Sequence, residues 1–122
     1  MSAAPKDVVS ALVDAYNEKR LEPLLELYDP DARFWDPLHR DGVVGREAIG
    51  GVIEQLFVAF PDERMSVVTL AADDTTAVAE LHSTGTAPSG GRFELDFTEV
   101  YEVADGRVVS CRVYLDPEQL PA

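Results

Sequence analysis

Glu99 is the first residue whose type and position ask for a chemical explanation. It lies in the run RFELDFTEVYEV, residues 92–103, whose alternation predicts a strand with Phe93, Leu95, Phe97, Glu99, Tyr101 and Val103 on one face. Arg92, Glu94, Asp96, Thr98, Val100 and Glu102 occupy the other. If the aromatic face is buried, Glu99 is the sole charge among apolar neighbours. A carboxylate left unpartnered there costs several kcal/mol, so it finds a partner or takes up a proton. A carboxyl in that state is a candidate for acid–base work. Two plainer readings stand beside this one: a bulge that turns Glu99 outward, or a structural hydrogen bond to a buried amide.

Asp36 is the second candidate. It shares a strand face with Ala32 and Phe34 and precedes Pro37 at the strand's end. A carboxylate there, facing a hydrophobic interior, suits a general base acting on an acidic C–H. The plainer reading is a turn starter, a routine use of Asp before Pro.

The remaining reactive side chains point to less. His82 alternates with Val78, Glu80 and Thr84, opposite Ala77, Ala79, Leu81 and Ser83, which places it on a solvent or dimer face. His39 follows Asp36-Pro37-Leu38 in a loop, exposed or at a pocket mouth. Cys111 lies with Val109, Val113 and Leu115 and reads as a small core residue. Two distant histidines give no zinc spacing, and Asp29-x-Asp31 lacks the glycine and distal glutamate of a calcium loop. The glycines from Gly45 to Gly51 are not followed by Lys-Ser/Thr, so there is no phosphate loop. No metal and no cofactor are expected.

Three amphipathic helices and a series of strands must position these groups. Residues 5–19 place Val9, Leu12, Val13 and Tyr16 at helical spacing, with Pro5 and Asp7 in the first turn. Leu21, Leu24, Leu25 and Tyr28 form a second stripe, ended by Asp29-Pro30. Ile49, Val52, Ile53, Leu56, Phe57 and Phe60 form the third, ended by Pro61, and Gly50-Gly51 inside it suggests close packing. Residues 32–36 make a short early strand. After Pro61 the period becomes two, predicting strands over 64–71, 75–85, 92–103 and 107–116 with short turns between them. Short turns join antiparallel neighbours, and the helices need a sheet face to cover. The expected fold is α+β, three helices on one side of a curved, mostly antiparallel sheet, in a single domain over residues 1–122.

Composition narrows the partners. Ten Lys+Arg against 23 Asp+Glu give a net charge of −13, with Lys19-Arg20 the only basic dipeptide. Such a surface repels nucleic acid and anionic lipid, and its steering disfavours anionic substrates. No apolar stretch approaches the roughly 18 residues of a membrane span, and the N-terminal stretch carries Asp7 and Asp14 where a secretory signal would be apolar. One cysteine allows no intrachain disulfide. A cytoplasmic protein is expected.

The run from Leu24 to Pro37 (LLELYDPDARFWDP) resembles the opening of SnoaL-like proteins, members of the nuclear-transport-factor-2-like (NTF2-like) superfamily. Phe60-Pro61-Asp62, Gly85-Thr86 and Asp105-Gly106-Arg107-Val108-Val109 resemble the same proteins, so the likeness spans nearly the whole chain. It implies a cone of helices wrapped by a curved sheet around a hydrophobic pocket, and a homodimer formed through the sheet. It leaves activity open among isomerases, polyketide cyclases, epoxide hydrolases, dehydratases and non-catalytic members. Similarity to the ketosteroid isomerase branch implies Asp36 as general base and Glu99 as a carboxylic acid kept protonated in the oxyanion hole. That branch's oxyanion tyrosine would fall at Leu12, and Tyr16 lies one helical turn later. The last-strand aspartate of the epoxide hydrolases falls at Val113. The implied activity is isomerase or cyclase chemistry beside a carbonyl of a hydrophobic small molecule, with Phe34, Trp35, Phe57, Phe60, Phe97 and Tyr101 as pocket walls. The alternatives are a non-catalytic ligand-binding or dimerisation module, and a hydrolase or dehydratase.

Overall fold

The computed structural model describes residues 2–121. Helix α1 (Pro5–Asn17) starts on a proline, whose missing N–H costs nothing in a first turn, and buries Val8, Val9, Leu12 and Val13. It is two residues shorter than the expected span, because Lys19 already turns the chain with a φ of 58°. Helix α2 (Leu21–Glu26) also stops early. Tyr28, assigned above to the helical stripe, opens strand β1 (Tyr28–Asp36) instead. Pro30 is tolerated there because the β1–β6 register is irregular between Tyr28 and Arg33, where no ladder bond is asked of it.

Strand β2 (His39–Val44) corrects the expectation of a loop at His39. The segment HRDGVV shows no clean alternation, and none of its residues is fully buried. It forms by pairing with β1 across the two-residue connection Pro37-Leu38, and it is a sheet edge, where charged residues are at home. Helix α3 (Arg46–Ala59) follows, then β3 (Arg64–Ala72), β4 (Thr76–Thr86), β5 (Arg92–Ala104), β6 (Arg107–Tyr114) and a short 3-10 turn at Pro117–Gln119.

The six strands form one sheet in the order β2-β1-β6-β5-β4-β3. Every neighbouring pair is antiparallel except β1–β6, which are parallel and end side by side. Asp105 and Gly106, with φ of 53° and 75°, supply the two positive dihedrals of a tight β5–β6 hairpin. The helices cover one face. Helix α1 crosses β3, β4 and β5, α3 lies on β1, and the core gathers Val9, Ile49, Leu81 and Val108 between them. No helix among the described residues is long and apolar enough to cross a membrane.

The two glycines of α3 have different surroundings. A Cβ on Gly50 would sit 2.7 Å from Cδ1 of Leu25 on α2, whereas one on Gly51 meets nothing within 4 Å. Close packing therefore explains the first glycine only. Gly51→Ala should raise stability by about 1 kcal/mol through helix propensity. Gly50→Ala should gain less, because Leu25 must move, and Gly50→Val should destabilise. Urea unfolding of the three variants checks this, and equal gains at both alanines would contradict the contact.

Candidate active site

The inner face of the sheet and the overlying helices enclose a cavity of about 170 Å³. Strand β5 supplies every second residue of one wall, Phe93, Leu95, Phe97, Glu99 and Tyr101. Strand β1 adds Phe34 and Asp36, α1 adds Leu12, Val13 and Tyr16, and the chain beyond β6 adds Leu115 and Leu120. The walls are mostly hydrocarbon. Among the described residues, the charged groups on them are Asp36, Glu63 and Glu99, with no Lys, Arg or His.

Glu99 faces inward because its strand pairs with β4 without a break, Ala79 lying opposite Glu99 and Leu81 opposite Phe97. The Tyr101 hydroxyl donates to Glu99 Oε1 at 2.5 Å. Burial pushes the Glu99 carboxyl up from 4.5 to about 7; the Tyr101 hydrogen bond works against this rise and the nearby Glu63 charge adds to it. Near neutral pH the group is thus shared between its acid and carboxylate forms. With Oε1 accepting from Tyr101, a proton on Oε2 is free to be donated into the cavity.

Asp36 closes β1 at the cavity's rim, its side chain 15% exposed. Its Oδ1 accepts from the Leu38 backbone N–H at 2.9 Å and lies 2.8 Å from His39 Nδ1. The turn-forming role and an inward-facing role are therefore compatible. One oxygen organises the Pro37-Leu38 turn, and Oδ2 has no hydrogen-bond partner among the described residues. His39 is the first residue of β2 and braces Asp36 from outside the cavity wall.

Tyr16 does reach inward from α1, but its hydroxyl donates to Glu63 Oε1 at 2.6 Å. Burial, with the Glu63 charge, holds that hydroxyl far above its ordinary range. Its proton is committed to Glu63, so the oxyanion-donor role is not available to it in this arrangement. Glu63 itself is 8% exposed and also accepts from Ser83 Oγ at 2.5 Å. Sequence reading passed over Glu63 because it sits between α3 and β3, before the period-two pattern begins. The usable signal was Ser83, a polar residue on the otherwise apolar Ala77-Ala79-Leu81 face of β4, which needed a buried partner.

Of the expected wall residues, Phe34, Phe60, Phe97 and Tyr101 border the cavity. Phe57 does not. It packs edge-on against the Tyr16 ring, with centroids 5.1 Å apart, behind the cavity lining. Trp35 does not either, because strand alternation puts it on the outer face, in contact range of Gly42. His82 is on the outer face too, 2.7 Å from Asp96, which raises its pKa. Cys111 is fully buried beside Tyr28 and Tyr101. Val113 and Leu115 line the cavity where other branches place an acid, while Asp116 caps the 3-10 turn by accepting from the Glu118 N–H.

Solved structures with this architecture include IdmH from Streptomyces antibioticus, a candidate polyketide cyclase, at 27% identity over 96% of this chain and 95% of that one, with a TM-score of 0.82. A loop-truncation variant of IdmH aligns at 30% identity over 94% of both chains, with a TM-score of 0.81. SalBIII, an epoxide hydrolase/cyclase-like enzyme of pyran ring formation in the polyether salinomycin, aligns at 20% identity over 97% and 95% with a TM-score of 0.84, which speaks for the fold alone. No curated protein matches the chain. The SnoaL-like domain family matches residues 9–111, and with that match over most of its length, on an NTF2-like fold, the chain belongs to the SnoaL-like proteins.

Proposed function

We propose that this protein is a small-molecule enzyme that moves a proton on the carbon next to a carbonyl of a hydrophobic substrate. The observation that supports this most is that Asp36 and Glu99, far apart in sequence, border one apolar cavity. Asp36 Oδ2 takes the α-proton. Negative charge then develops on the carbonyl oxygen, and the Glu99 Oε2–H, held by Tyr101 from the other side, donates a hydrogen bond to it. The mostly apolar walls strengthen that hydrogen bond in the transition state. Glu63 and Tyr16 neutralise each other's polar ends and fix the wall near Glu99. The enolate so formed serves either isomerisation or intramolecular aldol ring closure. The likeness to IdmH favours ring closure.

Proton exchange reads the first step without knowledge of the natural substrate. Across a panel of hydrophobic cyclic ketones in deuterium oxide, the protein should catalyse α-deuteration, and Asp36→Asn should lower the rate by roughly 10²–10⁴-fold, the usual worth of a positioned general base. Equal exchange in both proteins, or none above buffer, would remove Asp36 as a base.

Glu99 gives a pH signature with a definite sign. Its protonated form is the donor, so exchange should decline as pH rises through about 7, and Glu99→Gln should lose that limb. Stability carries the same mark. The folded value lies above the unfolded one near 4.5, so the contribution of Glu99 is fully present below about pH 4.5 and is lost as pH rises through about 7. The loss amounts to at most roughly 3 kcal/mol. The stability difference between wild type and Glu99→Gln, measured by urea unfolding from pH 4 to pH 8, should shift towards the variant across that window. A flat difference would place Glu99 in water.

A further inference from the structure

Outside the rim of the cavity lies a second, open concavity bordered by Trp35, Arg40, Arg112, Tyr114 and Pro117. It shares Asp36, Pro37, Val113 and Leu115 with the inner cavity, so the two adjoin at the ends of β1 and β6. This vestibule differs from the rest of the molecule in charge. The chain carries 10 Lys+Arg against 23 Asp+Glu, yet two arginines converge here.

Strand pairing fixes their placement. Arg112 on β6 is registered against Trp35 on β1, and Arg40 follows His39, the residue of β2 paired with Asp36. The Trp35 ring therefore lies on the strand between the two guanidinium groups. Arg40 is exposed and has no carboxylate partner among the described residues. Arg112 is held by Glu102 at 3.2 Å through one nitrogen, and a guanidinium has five N–H donors, so others remain. Among the described residues the acid bordering this space is Asp36, whose Oδ1 is engaged by the turn and His39, while Glu102 reaches Arg112 from outside the lining.

We infer that the vestibule is a subsite for a carboxylate carried on the substrate's outer end, with Arg40 and Arg112 as its ligands and Trp35 and Tyr114 as flanking surfaces. Resting on the reading of the inner cavity as the reaction site, this names the substrate class as an amphiphilic keto acid: an apolar ketone inside, an acid at the mouth. A planar carboxylate matches the arginine fork. A single negative charge also suffers less than a phosphate dianion from the −13 background, which makes the carboxylate the better fit. The two arginines would then set orientation, turning the ketone towards Glu99.

The test uses a cyclopentanone bearing a six-carbon carboxylic acid chain and its methyl ester, with affinities measured by calorimetry on the intact protein. Wild type should bind the acid about tenfold more tightly than the ester, a preference that weakens with salt. The double variant Arg40→Gln/Arg112→Gln should lose the preference while its ester affinity is unchanged. Arg40→Gln alone, which breaks no ion pair among the described residues, should lose part of it. Lys6→Gln, on the exposed side of α1, should keep it. A wild type that does not discriminate, no binding of either compound, equal weakening of both compounds in the double variant, or the same loss in Lys6→Gln would overturn the inference. Binding is read without turnover, so the acid preference is scored independently of the proposed proton transfer, which the deuterium exchange tests on its own.

Discussion

The unbroken register between β4 and β5 is the constraint on which the site depends. From Thr76 opposite Glu102 to Thr86 opposite Arg92, each residue has a single partner, with no bulge to reset the faces. A slip of one residue would exchange Phe97, Glu99 and Tyr101 for Asp96, Thr98 and Val100 on the inner side and leave the helices facing a polar wall. The apolar content of the β5 inner face thus holds Glu99 in place. The carboxyl is carried into the interior by neighbours whose burial outweighs the cost of desolvating it, and its raised pKa is the residue of that unequal contest.

Each of the two glutamates on the cavity wall is served by a tyrosine. Tyr101 serves Glu99, two residues away on the same strand face, and Tyr16 serves Glu63 across the gap between α1 and the start of β3. The pairs differ in what they leave free. Glu63 accepts at both oxygens, from Tyr16 and Ser83, so it is a closed unit whose effect is to tie α1, β3 and β4 together. Glu99 accepts at one oxygen only among the described residues, and it borders the cavity. The two glutamates therefore differ in kind, one with both oxygens engaged and one with a single oxygen engaged.

What could be read from sequence follows the same physics. The inner face of β5 was legible because burial writes a period of two, and the helical stripes of α1 and α3 were legible because burial writes a period near 3.6. Strand β2 was not, since an edge strand buries neither face fully and His39–Val44 owes its form to pairing with β1 alone. Tyr28 misled for a related reason. An apolar residue at helical spacing from Leu24 and Leu25 belongs equally well to a strand that turns its side chain into the same core. Phe57 and Trp35 show the limit for walls: composition marks both as apolar, yet only their elements' orientation decides which cavity, if any, each one borders. Glu63 escaped because a residue in a connection has no period at all.

The one parallel pair in the sheet accounts for which side chains meet at Asp36. Antiparallel neighbours send their ends to opposite edges, but β1 and β6 run together and finish side by side, at Asp36 and Tyr114. Side chains of alternate facing meet there, the inward set of Asp36 and Val113 and the outward set of Trp35 and Arg112. A strand end is also where backbone pairing stops and a turn must begin, and Asp36 satisfies both demands by giving Oδ1 to the turn and leaving Oδ2 unengaged. Moving Asp36 one residue inward would bury its charge without the turn's N–H to hold it, and one residue outward would turn it to solvent. The position tolerates a partly buried carboxyl because it is the last point of the wall at which the backbone still supplies a hydrogen bond.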